Sequence, residues 1–443
     1  RHSKHVHEVA LDVRQFFGIG ESYRDFHGSS NSARPRHGSQ QNAVDISMLS
    51  NVLQVDTESH VALVEPNVPM DRLVEATLIY GLVPPVVMEF PGITAGGGFS
   101  TGESSSFRHG FFNDTVNSLD MILGIGDIVR ESRQDATGPL SRRGRGGWHP
   151  WYLRLVKARK LVKTTYQKVT GVSDAVAGAQ SQTETPDVDY ADAIMFSKEH
   201  SVIITGQLTD TMPAGGTLPT FSNAHDPWFY MHVSDKTRDL APAATIVEYI
   251  PLELAFGLAD KAATSKSSHS SSSSVGCLTI TLTPKHSIMP FMQMRLVGEE
   301  KASSGTTSMS RPMLNIGIWG FGDLGPRDYK TLVAKKKKKK KKKNRQLEST
   351  LKALGGRKGL YAHTYYTEDQ FWADPHGKVL STTLPTIYDK AKVEPQAGGK
   401  NPNQWSKSWL STWPIGGLYG MILATLSGDI GVHRRATWRF KED

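Results

Sequence analysis

Pro91-Gly-Ile-Thr-Ala-Gly-Gly-Gly-Phe-Ser-Thr-Gly-Glu-Ser-Ser-Ser106 follows the apolar segment Pro84-Pro-Val-Val-Met-Glu-Phe90. Three consecutive glycines cost backbone entropy, and close approach of the chain to a flat or charged ligand would justify that cost. A flexible glycine loop without function has the same composition. Upstream, the strand-like Tyr23-Arg-Asp-Phe26 leads into Gly28-Ser-Ser-Asn-Ser32, a turn of small hydroxyl residues. With no large side chains in the way, backbone N–H groups and hydroxyls of such a turn can converge on a phosphate oxygen. Many ordinary surface loops look alike, so the order of the two features carries more than either alone.

The segments around them set that order. Val6, Val9, Val13 and Phe16/Phe17 recur at helical spacing, so the chain opens with an amphipathic helix. Ala43–Ile46, Asn51–Val55 and His60–Glu65 read as strands, and the polar Asp56–Ser59 reads as a hairpin turn. Asp71 is expected to cap a helix that runs through Leu78 and stops at Gly81. Val116–Leu123 and Asp127–Val129 form a further hairpin. Short mixed strands without strand–helix alternation predict an α+β domain rather than a doubly wound parallel sheet. Beyond about residue 170 the pattern changes, with Ala193–Phe196, Ser201–Gly206 and Trp228–Val233 as strands of a second domain built on an antiparallel sheet. The expected division is 1–170, 171–395 and a C-terminal segment 396–443, with low-complexity Ser (264–274) and Lys (335–343) tracts in the second part.

Composition excludes several classes. With 443 residues, 38% apolar and 21% charged, a large core is available, and the single Cys277 supplies neither an internal disulfide nor paired thiolates for a structural zinc. The net charge of +9 is matched by the nine consecutive lysines 335–343. A nucleic-acid binder spreads its basic residues over a face and interleaves aromatics, so no nucleic-acid partner is expected. No metal is expected either: His2, His5 and His7 have ligand-like spacing but lie at a truncated terminus. Trp405, Trp409 and Trp413 recur every four residues as a packing or membrane-interface stripe, and the uncharged stretch 408–428 reads as buried or interfacial. The chain begins at Arg1, so the true N-terminus and any targeting signal are expected to lie outside it.

Helix, strand, small-residue turn, strand hairpin, helix, strand and glycine loop is an order that resembles the PCMH-type FAD-binding domain of the vanillyl-alcohol oxidase superfamily. Phe26-His-Gly-Ser-Ser-Asn-Ser-Ala-Arg34, Val64-Glu-Pro-Asn-Val-Pro-Met70, Pro84–Thr94 and Gly102-Glu-Ser-Ser-Ser106 narrow it. They resemble the Δ(24)-sterol reductase family, as do Asp226-Pro-Trp-Phe-Tyr-Met-His-Val233, Val247-Glu-Tyr-Ile-Pro-Leu252, Trp413–Gly420 and Ser427-Gly-Asp429. The resemblance implies a two-subdomain FAD-binding domain followed by a substrate or cap domain.

It also implies non-covalent FAD, NADPH as hydride donor, a sterol or other small molecule as substrate, and association with a membrane surface, in the family the endoplasmic reticulum, against a cytoplasmic alternative. Carried over by position, Gly28, Ser29, Ser30, Asn31 and Ser32 would face the FAD pyrophosphate. Ile93, Thr94, Ala95, Gly96, Gly97 and Gly98, with Gly102, Glu103, Ser104 and Ser105, would run along the cofactor. His27 precedes the turn, so a covalent tether is not expected. An unactivated alkene needs an acid beside the carbon that accepts the proton, and Glu103, Tyr230 and His232 are the candidates.

The chain departs from the family at Gly138-Pro-Leu-Ser-Arg-Arg-Gly-Arg-Gly-Gly-Trp-His-Pro-Trp-Tyr152, where members carry a small-residue segment that packs against the flavin. Arg, Gly, Pro and Trp are what a shifted reading frame makes of Gly-Ala codons, and buried Arg142, Arg143 and Arg145 would disfavour FAD binding. Two other functions therefore stand beside the reductase: an FAD-dependent alcohol or sugar oxidase of the same superfamily, and a catalytically inactive scaffold.

Overall fold

The computed structural model describes residues 2–27, 42–88, 92–101, 105–132, 147–219, 229–252, 291–297, 313–319, 344–354, 364–372 and 388. The chain divides into two compact units, one of residues 1–17, 46–321 and 438–443, the other of 18–45 and 322–437. The fold is α+β.

The larger unit opens with α1 (His2–Gly18), which buries Val6, Val9, Ala10 and Val13 on one face as the apolar spacing requires. Glu65, buried behind β4 (Val61–Val64), receives the His2 imidazole Nδ1 at 2.6 Å, and Arg14 pairs with Asp127 at 3.0 Å. These two contacts fix both ends of α1.

A five-stranded sheet has the order β3-β4-β10-β8-β9, every neighbouring pair antiparallel. Its members besides β4 are β3 (Val52–Asp56), β8 (Val116–Ile122), β9 (Ile128–Ser132) and β10 (Gly147–Arg154). The β3–β4 turn is the expected one, with Asp56 Oδ1 accepting the Glu58 and Ser59 amides. β10 occupies the centre although its sequence departs from the family. Its register slips between Trp148 and Trp151, where Pro150 has no N–H for a ladder bond.

α2 (Met70–Leu78) begins earlier than expected, with Pro69 at its N-cap, and Asp71 lies in the first turn, where its charge favours the helix N-terminus. Gly81 ends the segment at φ +68°, as expected. The glycine stretch differs more: Ala95–Thr101 is a helix, α3, not a loop.

The second sheet has six antiparallel strands in the order β15-β12-β14-β13-β16-β17. They are β12 (Leu161–Val169), β13 (Tyr190–Met195), β14 (Ser201–Thr209), β15 (Thr245–Pro251), β16 (Phe291–Val297) and β17 (Met313–Trp319). β12 is an inner strand of this sheet, so the sheet starts at Leu161, before the expected division at 170. α4 (Gly171–Thr183) packs Ala175 and Ala179 on Ala193 and Met195 of one face. The other face receives α5 (Phe229–Thr237), which corrects the expected strand at Trp228–Val233. Aromatic and β-branched residues favour strands, but the buried positions Tyr230, Val233, Ser234 and Thr237 recur at three to four, a helical period.

In the smaller unit, β1 (Arg24–Phe26) and β2 (Ala43–Asp45) pair in parallel. Residues 344–353 are helical, and buried Glu348 accepts the Tyr365 amide at 3.0 Å. The turn 28–32, the Ser and Lys tracts, Arg142–Arg145 and Trp405–Trp413 lie outside the described residues.

Candidate functional site

The approach to α3 is sewn to the turn after β4. Met70 N–H bonds Ile93 O at 2.9 Å, Ala95 N–H bonds Val68 O at 2.8 Å, and Gly96 N–H bonds Pro66 O at 2.7 Å. Thr94 then caps its own helix, its Oγ1 accepting Gly97 N–H at 3.2 Å while its carbonyl accepts Gly98 N–H at 2.9 Å. Four successive amides, residues 95–98, therefore bond within the protein. What the glycines contribute to a ligand is space.

Two of them divide that role. A Cβ on Gly98 would stand 1.8 Å from Met88 Cε and 2.2 Å from Sδ, and Met88 is fully buried, so Gly98 is required by packing. Among the described residues, a Cβ on Gly97 would meet Thr94 Oγ1 at 3.2 Å and Ile93 Cγ2 at 3.9 Å. Gly97 is thus less confined by packing than Gly98, and a small residue there is compatible with the close backbone approach of a flat cofactor. The turn beneath is braced by Glu65, whose Oε2 accepts the Asn51 backbone and side-chain N–H groups at 2.7 Å each.

Of the expected cofactor-binding residues, Ile93 to Gly98 come together here, and Ser105 begins the short strand β6 (Ser105–Ser106) paired with β7 (Gly110–Phe111). Gly28 to Ser32 and Gly102 to Ser104 lie outside the described residues, Glu103 among them. Between β6 and β7, Arg108 Nε donates to Val188 O at 2.5 Å, and its guanidinium also reaches the Thr185 and Pro186 carbonyls. This ties the first part of the chain to the segment that enters β13. His109 beside it is held below the usual imidazole range by burial and by the Arg154 and Arg108 charges.

The other two proton-donor candidates lie on α5. Tyr230 is buried against Tyr166, Ile194, Val202 and Ile204, and burial pushes its phenol up. His232 is placed differently: its Nε2 lies 2.7 Å from Oε2 of Glu248 on β15, and Lys236, one turn further on, puts Nζ 3.3 Å from Oε1. Burial pushes the Glu248 carboxyl up, but the His232 hydrogen bond and the His232 and Lys236 charges outweigh it and hold it below the usual range. Glu248 was not among the sequence candidates. Its signal is phase: in Ile246-Val-Glu-Tyr-Ile250 it shares the face of Ile246 and Ile250, where a carboxylate is out of place.

That face is continuous with the first sheet. Opposite pairs Val162/Ile250, Thr164/Glu248 and Tyr166/Ile246 carry it along β12 and β15. At one end Tyr166 packs under α5, and at the other Val162, Ile250 and Leu252 join a single core with Ala95, Met88 and Trp151. Phe229, at the start of α5, packs against both clusters.

With this arrangement in hand, the chain can be compared with known proteins. Residues 27–132 match the model of the FAD binding domain family. This segment is similar to the FAD binding domain family.

The matched segment contains β2, β3, the braced turn after β4, α2, α3 and the β8–β9 hairpin. The chain is similar to the Delta(24)-sterol reductases of Macaca fascicularis and Homo sapiens, each 28% identical over 211 residues, and to that of Pisum sativum, 27% identical over 230 residues. These matches cover 46–47% of the chain, less than the motif resemblance spans, and 40% of each relative's length. Together they make the chain similar, over less than half of its length, to FAD-binding proteins named as reductases.

Among the described residues no group of three or more His, Cys, Asp or Glu is placed to hold a metal. His2 and His5 face Glu65 and Glu8 instead. No helix among them is long and apolar enough to cross a membrane.

Proposed function

We propose that the protein is an FAD-dependent reductase that saturates a double bond in a sterol side chain, with NADPH as the source of hydride. The observation that carries this reading is the joint one of a match to the FAD binding domain family and similarity to several proteins named Delta(24)-sterol reductase. Because the chain spans about two-fifths of their length, substrate and reductant are carried over by likeness.

FAD, when bound, relays hydride to one alkene carbon. Gly28 to Ser32 would hold its pyrophosphate without a covalent tether, and Thr94 to Gly98 would line its path, Gly97 giving the closest backbone approach. His232 is the favoured proton donor over Tyr230, because it joins a buried carboxylate while Tyr230 packs among apolar side chains. Encounter with a bilayer-resident sterol calls for a membrane surface, to which Lys335–Lys343 and the Trp405–Trp413 segment would contribute charge and apolar contact.

Incubation of the purified protein with NADPH and a side-chain-unsaturated sterol tests the reading. The expected product carries two more hydrogens by mass spectrometry. Production of hydrogen peroxide from an alcohol or sugar, without NADPH consumption, would replace it with the oxidase reading.

A further inference from the structure

Glu65 is 1% exposed, and its carboxylate is engaged from two sides. Oε2 accepts the backbone and side-chain N–H groups of Asn51 at 2.7 Å each, and Oε1 lies 2.6 Å from Nδ1 of His2 on α1. A buried carboxylate is tolerated where such bonds replace water, so this side chain joins three segments: the start of α1, the residue ahead of β3 and the turn after β4. The backbone extends the arrangement. On one side of the turn Glu65 N–H bonds Asn51 O at 3.0 Å and Asn67 N–H bonds Leu49 O at 2.9 Å. On the other side the carbonyls of Pro66 and Val68 hold the amides of Gly96 and Ala95. α3 has seven residues, three of them glycine, too short and too poor in helix formers to hold its place by itself. Its position is therefore set by the turn, and the turn is held by Glu65.

We infer that Glu65 is a positioning residue for the cofactor: it sets the place of the glycine helix α3, and through His2 it makes cofactor affinity depend on the docking of α1. That helix lies outside the segment that matches the FAD binding domain family, residues 27–132, whereas Asn51, Glu65 and α3 all lie inside it. The inference rests on the reading that Thr94 to Gly98 line the path of FAD. Glu65 acts through the backbone. Pro66 follows it directly and Val68 stands three residues on, so a displacement of Glu65 is passed to Gly96 and Ala95 by the two bonds that anchor them.

The test uses the whole chain free of flavin, and reads hydrogen exchange of the segment 92–101 by mass spectrometry and FAD affinity by fluorescence titration. Glu65→Ala is expected to speed that exchange and to raise the Kd for FAD by at least about tenfold, under conditions where circular dichroism shows the protein folded. Lower stability alone leaves the Kd of a fully folded population unchanged, so the Kd separates positioning from a merely structural role. Glu65→Gln is expected to stay within about threefold of wild type, because its carbonyl oxygen can accept both Asn51 N–H groups while its NH2 turns to the His2 ring nitrogen. His2→Ala removes the α1 contact, leaves the Asn51 pair in place, and is expected to raise the Kd by about threefold or more. A wild-type Kd in either alanine variant overturns the inference, whether or not exchange is faster. If Glu65→Ala does not fold, His2→Ala decides, its side chain being 25% exposed. Wild-type protein that takes up no FAD would defeat the cofactor reading itself.

Discussion

Phe99 on α3 meets Trp151 on β10 edge to face, ring centroids 4.2 Å apart and planes at 82°. The contact ties the glycine helix to the centre of the five-stranded sheet, and it does so through a strand whose sequence departs from the family. Trp151 is 2% exposed, so the large indole fills the core beside α3. Loss of this ring is expected to unsettle α3 and the cofactor together. Trp151→Ala should cost about 3–5 kcal/mol of stability, measured by urea denaturation, and should lower FAD content.

Gly97 and Gly98 separate ligand approach from packing. Gly97→Val is expected to lower FAD occupancy far more than the yield of folded protein, as read by flavin absorbance against circular dichroism. Gly98→Val is expected to lower both, because its side chain would overlap buried Met88. Equal losses in the two variants would make both glycines structural.

Thr94→Ala removes the Gly97 cap. The expected cost is about 1 kcal/mol in chemical denaturation, with Thr94→Ser close to wild type because Ser keeps the acceptor.

Acid should weaken the fold in two stages. His109 and His200 are both held below the ordinary imidazole range by burial first and then by neighbouring cations. A depressed pKa means the unfolded chain takes the proton more readily, so their stability is present above about pH 6.5 and is lost as pH falls through the folded values. The carboxyl of Glu248 is also lowered in the fold, so its contribution is present above the ordinary carboxyl range and lost below it. Thermal melts from pH 8 to 3 should show both declines, and His109→Gln should flatten the first. A melting temperature constant between pH 7.5 and 5.5 would contradict the histidine account.

α1 and the strands β3, β4, β8 and β9 of the first sheet are legible in the sequence because they obey a single period, as Val6, Val9 and Val13 do for α1, whereas the central strand β10 lies in the stretch that departs from the expected pattern and is not. α3 is not, because three glycines carry a helix penalty of roughly 1 kcal/mol each, and only the tertiary bonds to Pro66 and Val68 and the Thr94 cap hold it helical. α5 is masked by the strand preference of its aromatic and β-branched residues, which tertiary packing overrides. Of the candidate site, His232 is visible as a titratable residue in a resembling segment. Its partner Glu248 becomes visible only when β15 is paired with β12, which fixes the face it occupies.

The central claim is that this chain binds FAD and accepts hydride from NADPH for transfer to an alkene. Anaerobic titration of the purified protein tests it directly. The expected result is a flavin spectrum that bleaches on NADPH addition, returns when a side-chain-unsaturated sterol is added, and passes into the supernatant on acid precipitation. A colourless protein, or a flavin that NADPH leaves oxidised, would contradict it.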